Sequence, residues 1–506
     1  MKNRFAEMSS SRRDFLLGSA ALLPNLMMQT VPLSALLVAE EAQAGDTTPL
    51  QVVRQRPLAP YFFGANVALY AGPKVTPEFL SLLASLNCRN WRWPSGDLAN
   101  LWDWHKSAPV ATPGTPAPPG WGFSLEALKQ LVDQSQGVPI LEPNMMTSNL
   151  QEQLAMLDHA RQLGLPVQLV ELGNEFFRHT PDYESTFPGP KEYAIQASAW
   201  AAAIKKKFPG VQVAAVANFD LGSPASTDRR SADWNATLFR YLSNVDAVAI
   251  HDYPDVNLLK AVGKRENPEF DSREDQRAQA QLLSDTNNVD RMFTTLLQNL
   301  TYNENVIAKI PPQYAIWMTE YNKNRALTQI NGTWLHGLLF ALMTASFVED
   351  PRISLCSYYN IIGHSEYAAL YMDEHEYDLV EGVNHKVKPL ALTVIGQMSQ
   401  ILGRLFAGGT RATILKPAIN APGPNFKIIR VDGAGTKIAF INASKFGYLF
   451  DVRPYFQGNV NVTKFALPAM SRFTGLDDDP VPAPSQGPAP AAQGVPPYSL
   501  VLLEAA

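Results

Sequence analysis

From about residue 50 the chain alternates short apolar runs with longer amphipathic stretches, the pattern of repeated βα units that build a parallel sheet. YFFGANVAL (61–69) and NCRNWRWPSG (87–96) predict the first two strands, with the amphipathic PEFLSLLASL between them. GVPILEPN (137–144), LPVQLVELGNE (165–175), VQVAAVAN (211–218) and VDAVAIHDY (245–253) predict the third to sixth. QYAIWMTEYN (313–322) and ISLCSYYN (353–360) complete eight. Of the intervening helices, EYAIQASAWAAAIKKKF (192–208) is Ala-rich and ends in a Lys cluster that suits the negative end of the helix dipole. Eight strands in this rhythm predict an α/β chain with a (β/α)8 TIM barrel over residues 45–390. The stretch 254–312 is too long for a simple loop and helix, and KRENPEFDSREDQR (264–277) within it is highly charged. It reads as a solvated surface insertion or, alternatively, as a lid over a substrate.

Near residue 390 the pattern changes to short alternating strands with turn residues between them. FKIIRVDGAGTKIAFINAS (426–444) predicts a hairpin around Asp432-Gly433, and residues 391–506 read as a second, all-β domain. DDDPVPAPSQGPAPAAQGVPP (477–497) is a Pro/Ala-rich loop, after which YSLVLLE (498–504) is an apolar closing strand that must dock against something.

Residues 1–44 differ from the rest. Ser11-Arg12-Arg13-Asp14-Phe15-Leu16 precedes the apolar LLGSAALLPNLMM, and Ala42-Gln43-Ala44 supplies small residues for cleavage. That order predicts a twin-arginine signal peptide, removal after Ala44, a periplasmic or secreted location and no stable membrane association afterwards. The alternative is a retained anchor helix, against which Pro24, Asn25, Gln29 and Pro32 interrupt the apolar run.

Hydrophobic residues make up 46% of the 506 and aromatic residues 10%, ample for a large core. Lys plus Arg number 42 against 47 Asp plus Glu, a net charge of -5, with no dense basic stripe after the leader, so nucleic acid is not the expected partner. Two cysteines, Cys88 and Cys356, exclude a disulfide framework and read as buried small hydrophobes rather than a bridge. The eight His show no HExxH or similar tight ligand spacing, so neither metal nor other cofactor is expected.

In a βα barrel, chemistry collects where the strands end. The second strand ends with Arg92, Trp93 and Asp97, the third with Glu142 and Asn144, the fourth with Asn174 and Glu175, and the fifth with Asn218. The sixth ends with His251 and Tyr253, the seventh with Glu320 and Tyr321, and the eighth with Tyr358, Tyr359 and Asn360. Carboxylates, aromatics and amides converging on one rim suit a carbohydrate substrate. Glycoside hydrolysis needs one carboxyl to protonate the leaving oxygen and another to attack or activate water at the anomeric carbon. Glu171, four residues before Glu175 on the same strand face, should sit deeper and act as an ion-pair partner. Glu142 and Asp97 either line a subsite or order loops. His251 reads as a hydrogen-bonded wall residue rather than a proton carrier. Trp91, Trp93, Trp102 and Trp104 are divided between sugar platform and packing.

Asn174-Glu175 after a fourth strand with Glu320 ending a seventh resembles the clan A glycoside hydrolases. Within the clan, WRWPSGDLANLWDW (91–104) is similar to the second-strand segment of family 51 arabinofuranosidases and their relatives in families 39 and 79. IHDYP (250–254) and MTEYN (318–322) are similar to the sixth-strand and nucleophile segments, while Ser95 stands where Gly is more usual. The resemblance spans most of the mature chain and implies that the all-β part is a β-sandwich. It also implies a retaining double displacement, with Glu320 as nucleophile and Glu175 as acid/base, protonated until it donates. Asn174 is then expected to bind the sugar hydroxyl beside the anomeric carbon, Tyr253 to hydrogen-bond Glu320, and Arg92 to keep Glu320 ionised. Arg92, Trp93, Asp97, Asn174, His251, Tyr253, Tyr321 and Tyr358 form the expected substrate-binding set. A catalytically silent carbohydrate-binding barrel is the alternative, and a metal-dependent hydrolase or a lyase is a third.

Overall fold

The structure, a computed structural model, describes residues 47–68, 75–110, 122–219, 229–254, 281–283, 285–324, 330–363, 367–378, 383–418, 423, 425–473, 475–476 and 484–506. The leader and the charged segment 264–277 lie outside the described residues. Among the described residues no helix is long and apolar enough to cross a membrane.

All eight predicted barrel strands are present: β1 (Phe63–Asn66), β2 (Asn90–Trp93), β3 (Val138–Leu141), β4 (Leu169–Leu172), β5 (Gln212–Val216), β6 (Ala247–Asp252), β7 (Ala315–Tyr321) and β8 (Ile353–Tyr358). They close in chain order into a parallel barrel, β8 pairing with β1. Successive residues on a strand face opposite ways, so each strand feeds two layers. Ile140, Leu169, Ala214, Ala249, Trp317 and Leu355 pack together in one cluster. Their neighbours Trp91, Leu141, Val170, Val213, Ile250 and Met318 join the larger core that includes the surrounding helices.

A seven-stranded antiparallel sheet carries, in order, Leu50–Pro57, Gly409–Pro417, Phe426–Gly433, Thr436–Asn442, Ser499–Ala505, Asn459–Ala466 and Ser485–Pro488. The hairpin at Asp432-Gly433 forms as expected, with Asp432 opposite Thr436. Tyr448–Phe450 pairs with Gln493–Val495 to form a second layer, whose Phe450 and Val495 pack on the sheet's Ile428, Phe440, Val501 and Leu503, making a sandwich. The other face, including Ile429, Ile441, Leu500 and Leu502, belongs to the barrel's own core. The closing strand is thus buried on both sides, the reason SLVLL has no polar alternation. Helix Trp334–Glu349 lies between barrel and sheet with no polar face; only Ser346 and Glu349 are incompletely buried. Residues 45–506 accordingly form one compact unit.

Two segments fall across the expected boundary at 390/391. Leu50–Pro57 is an edge strand of the antiparallel sheet, paired with Gly409–Pro417, not part of the barrel. Val394–Phe406, capped by the Thr393 hydroxyl, is a helix packed against β1. Periodicity identifies a strand or a helix but not its spatial partner.

Candidate active site

The turn after β4 explains GNE. Gly173 has φ +85, and a Cβ there would meet the Phe176 ring at 2.2 Å. Glu175 also lies in the left-handed region, at φ 44, a conformation that costs a side-chain-bearing residue roughly 1–2 kcal/mol. The turn is held from both sides. Asn100 Oδ1 accepts from Asn174 N at 3.0 Å and its Nδ2 donates to Asn174 O at 2.8 Å. Phe176 is buried against Tyr183, Phe187 and Tyr193. The strain fixes where the Glu175 carboxylate points.

Glu320 is aimed by a different device. Met318 is opposite Ile250 on β6 but Glu320 is opposite His251, so Thr319 is an extra residue, a bulge. Thr319 Oγ1 donates to Glu171 at 3.1 Å while the next side chain, Glu320, also faces the lumen and meets Arg92. Simple alternation would have sent one of the two into the helical layer.

Arg92, fully buried, organises the lumen. Its Nη1 donates to Glu320 at 2.6 Å and to Asn66 at 3.0 Å; Nε and Nη2 bind Glu171 at 2.9 and 2.7 Å, and Nη2 reaches Asn174 Oδ1 at 2.9 Å. Glu171 is the deep ion-pair partner expected of it. Glu142 Oε1 approaches Nη2 to 2.6 Å without hydrogen-bond geometry, and Oε2 accepts from Ser95 N at 2.8 Å. Burial pushes the Glu142 carboxyl well above its ordinary value; Arg92 opposes the shift, and Glu171 and Glu320 add to it. Ser95, at φ 80 in the left-handed region, offsets its strain with that bond and with Oγ donated to Asn66 Oδ1 at 2.5 Å.

At the mouth, Tyr253 Oη donates to Glu320 Oε2 at 2.7 Å and His251 Nδ1 bonds Glu175 Oε1 at 2.8 Å. Burial disfavours the His251 imidazolium, yet the Glu320 charge and the Glu175 contact outweigh it and raise the pKa. Glu175 shows the converse. Burial raises its pKa, but His251 and then Arg178 outweigh that and hold it at about 2. Glu175 was expected to wait protonated; in this arrangement His251 Nδ1 at Oε1 and Arg178 Nη1, 2.9 Å from Oε2, favour its charged form instead.

Of the expected binding set, Asp97, Asn174, His251 and Tyr253 gather around the two carboxylates. Trp93, Tyr321 and Tyr358 do not, and Arg92 acts only through other side chains. Trp93 packs edge-on to Trp102, Tyr321 stacks on Phe340 and bonds Thr344, and Tyr358 packs against Phe63 and Phe340. Strand parity is the reason: each follows an inward residue, Arg92, Glu320 or Ser357, and so faces the helices. Trp91 and Trp102 are core as well; Trp104 alone of the four is partly exposed, stacked on His105. The sequence reading missed Arg178, Tyr183 and Asn100. Arg178 lies three residues beyond Glu175 across a tight turn, with its N–H bonded to Glu175 O at 2.9 Å; Tyr183 Oη reaches Asp97 at 2.8 Å across a loop that gives no pattern.

Glu175, His251 and Glu320 present donor atoms within 4.8 Å of one another, the one such group among the described residues close enough for a metal. It suits a metal poorly, since Arg178 and Arg92 already put guanidinium groups on the two carboxylates.

No protein-family model matches the chain, and no curated protein does. Solved structures do. A thermostable family 51 α-L-arabinofuranosidase from Thermotoga petrophila superposes with a TM-score of 0.60 at 14% identity, covering 91% of this chain and 100% of that one. A family 51 arabinofuranosidase from Xanthomonas axonopodis gives 0.59 at 15%, covering 90% and 99%. A 4-O-α-L-rhamnosyl-β-D-glucuronidase from Fusarium oxysporum gives 0.53 at 14%, covering 90% and 100%. The chain has the fold of the family 51 arabinofuranosidases, barrel and β-sandwich together.

Proposed function

We propose that this chain is a retaining glycoside hydrolase that cleaves O-glycosidic bonds of an oligo- or polysaccharide. The observation that carries the reading is the pair Glu175, in the turn after β4, and Glu320, on β7, with one carboxylate oxygen of each within 4.8 Å of the other. Retaining enzymes hold their two carboxyls about 5–5.5 Å apart, whereas inverting ones leave about 6.5–9.5 Å for a water. Glu320, held by Arg92 and Tyr253, attacks the anomeric carbon. Glu175 protonates the departing oxygen and then takes a proton from the water that releases the sugar from Glu320. Asn174, with one Nδ2 hydrogen on Asp97 at 3.1 Å, offers the other to a sugar hydroxyl. The arabinofuranosidases and the glucuronidase of similar fold make aryl α-L-arabinofuranosides and aryl β-D-glucuronides the first substrates to assay.

Glu175→Gln separates the roles. On an aryl glycoside with an excellent leaving group it should form the Glu320 ester and stall, and azide, which needs no general base, should restore turnover as a glycosyl azide of retained configuration. Glu320→Gln should be inactive on every substrate, with no such rescue. A Glu320→Gln variant of wild-type activity would refute the assignment.

A further inference from the structure

The oxygen of Glu175 available to a leaving group is covered by a cation. Oε1 is bonded to His251 Nδ1 at 2.8 Å, and Oε2 is bonded to Arg178 Nη1 at 2.9 Å. The same nitrogen lies 2.9 and 3.0 Å from the two oxygens of Asp97. One Nη carries two hydrogens, so the three acceptors cannot all be fully served at once. Arg178 is 41% exposed and Asp97 44%, against 18% for Glu175, so the guanidinium can move toward the solvent side without breaking into the core. Asp97 is fixed independently, accepting from Tyr183 Oη at 2.8 Å and from Asn174 Nδ2 at 3.1 Å.

We propose that Arg178 is a positioning residue that alternates between Glu175 and Asp97: it ion-pairs the acid/base carboxylate in the arrangement seen here and is displaced onto Asp97 alone when a sugar's glycosidic oxygen takes its place at Oε2. The proposal rests on the hydrolase reading. On displacement Glu175 takes a proton from solvent. That proton passes to the leaving oxygen as the glycosidic bond breaks and the bond from C1 to Glu320 forms. In the second half the attacking water gives a proton to Glu175 as its oxygen displaces Glu320. When product leaves, Arg178 returns and the proton is released to solvent. The other charged or titratable groups around Glu175 are His251 from β6, Tyr253 just after it, Glu320 from β7, Asp97 from the loop after β2, and Arg92 from β2 itself. None of these but Asp97 shares a bond with Arg178.

The test compares pH profiles of kcat/KM, which reports the free enzyme, with those of kcat, which reports the bound complex. In the wild type the alkaline limb of kcat/KM should lie below that of kcat. In Arg178→Gln the kcat/KM limb should rise by about 1–3 pH units, the effect of losing an adjacent cation, while the kcat limb stays in place. Arg178→Lys should keep the wild-type split, and Asp97→Asn, which leaves Arg178 on Glu175, should move the kcat/KM limb down and reduce kcat. Thermal melting checks that each variant is folded. Profiles of Arg178→Gln that superimpose on the wild type after scaling, with kcat and kcat/KM reduced alike, would overturn the proposal. The Glu175 carboxyl can also be titrated by carbon-13 NMR, assigned with Glu175→Gln, and this needs no turnover. If the wild type cleaves no glycoside, the hydrolase reading fails; a Glu175 carboxyl that titrates at the same pH in wild type and Arg178→Gln overturns the inference by itself.

Discussion

Arg92 faces Glu142, Glu171 and Glu320 with one positive charge, so the lumen holds more carboxylates than that guanidinium can neutralise. Glu142 is the one whose buried carboxyl is pushed well above its ordinary value, chiefly by burial, which favours placing a proton there rather than on Glu171 or Glu320. Glu142→Gln reproduces that neutral form. It should cost less than about 1 kcal/mol, the net worth of one neutral hydrogen bond. Glu171→Gln, which removes the buried carboxylate that binds both Nε and Nη2 of Arg92, should cost about 3–5 kcal/mol. A group whose folded pKa is raised contributes stability below its unfolded value and loses it as pH rises through the folded one. Wild-type stability should therefore decline with rising pH above the ordinary carboxylate range, and Glu142→Gln should lack that decline; denaturant melts across pH measure both. Equal losses in the two variants would contradict the proton's location. Only part of this was legible in the chain: Glu171, four residues before Glu175, reads as the deep ion-pair partner, but nothing singles out Glu142 until the fold puts the three acids around one arginine.

At the scale of elements, the eight strand positions were legible because each apolar run is bounded by turn residues and separated by a helical period. The chemistry at their ends was half legible. Arg92, Asn174, Glu175, His251, Tyr253 and Glu320 meet, whereas Trp93, Tyr321 and Tyr358 are core, a distinction that period-two parity settles once one inward residue per strand is known. The bulge at Thr319 was not legible, since nothing in MTEYN marks an extra residue, yet it places Glu320 opposite His251. The closing strand Ser499–Ala505 was visible as too apolar to stay exposed. It pairs on both edges and is buried on both faces, with Leu502 in the barrel-side core and Leu503 in the sandwich. Leu502→Ala should cost about 2–5 kcal/mol in a denaturant melt. Deleting residues 499–506 should yield insoluble protein, and a soluble, active truncation would show that the sandwich is a detachable module.

On the scale of the whole molecule, the β-sandwich braces helix Trp334–Glu349 behind β7 and β8, so the strand that carries Glu320 is backed by a continuous core rather than by solvent. The opposite end of the barrel lumen is filled by the cluster around Trp317, while Glu175 and Glu320 lie at the C-terminal rim, where barrels of this kind carry their chemistry. The fold common to the arabinofuranosidases and the glucuronidase covers both parts of the chain, and a fold alone does not choose a sugar. The central claim is that Glu320 attacks the sugar directly while Glu175 serves first as acid and then as base. The anomeric configuration of the first-formed product, read by proton NMR on a cleaved aryl glycoside before mutarotation, tests that claim. Carboxylate oxygens within 4.8 Å predict that the product first appears with the configuration of the substrate, and a product that first appears inverted would contradict the mechanism even if both glutamates prove essential.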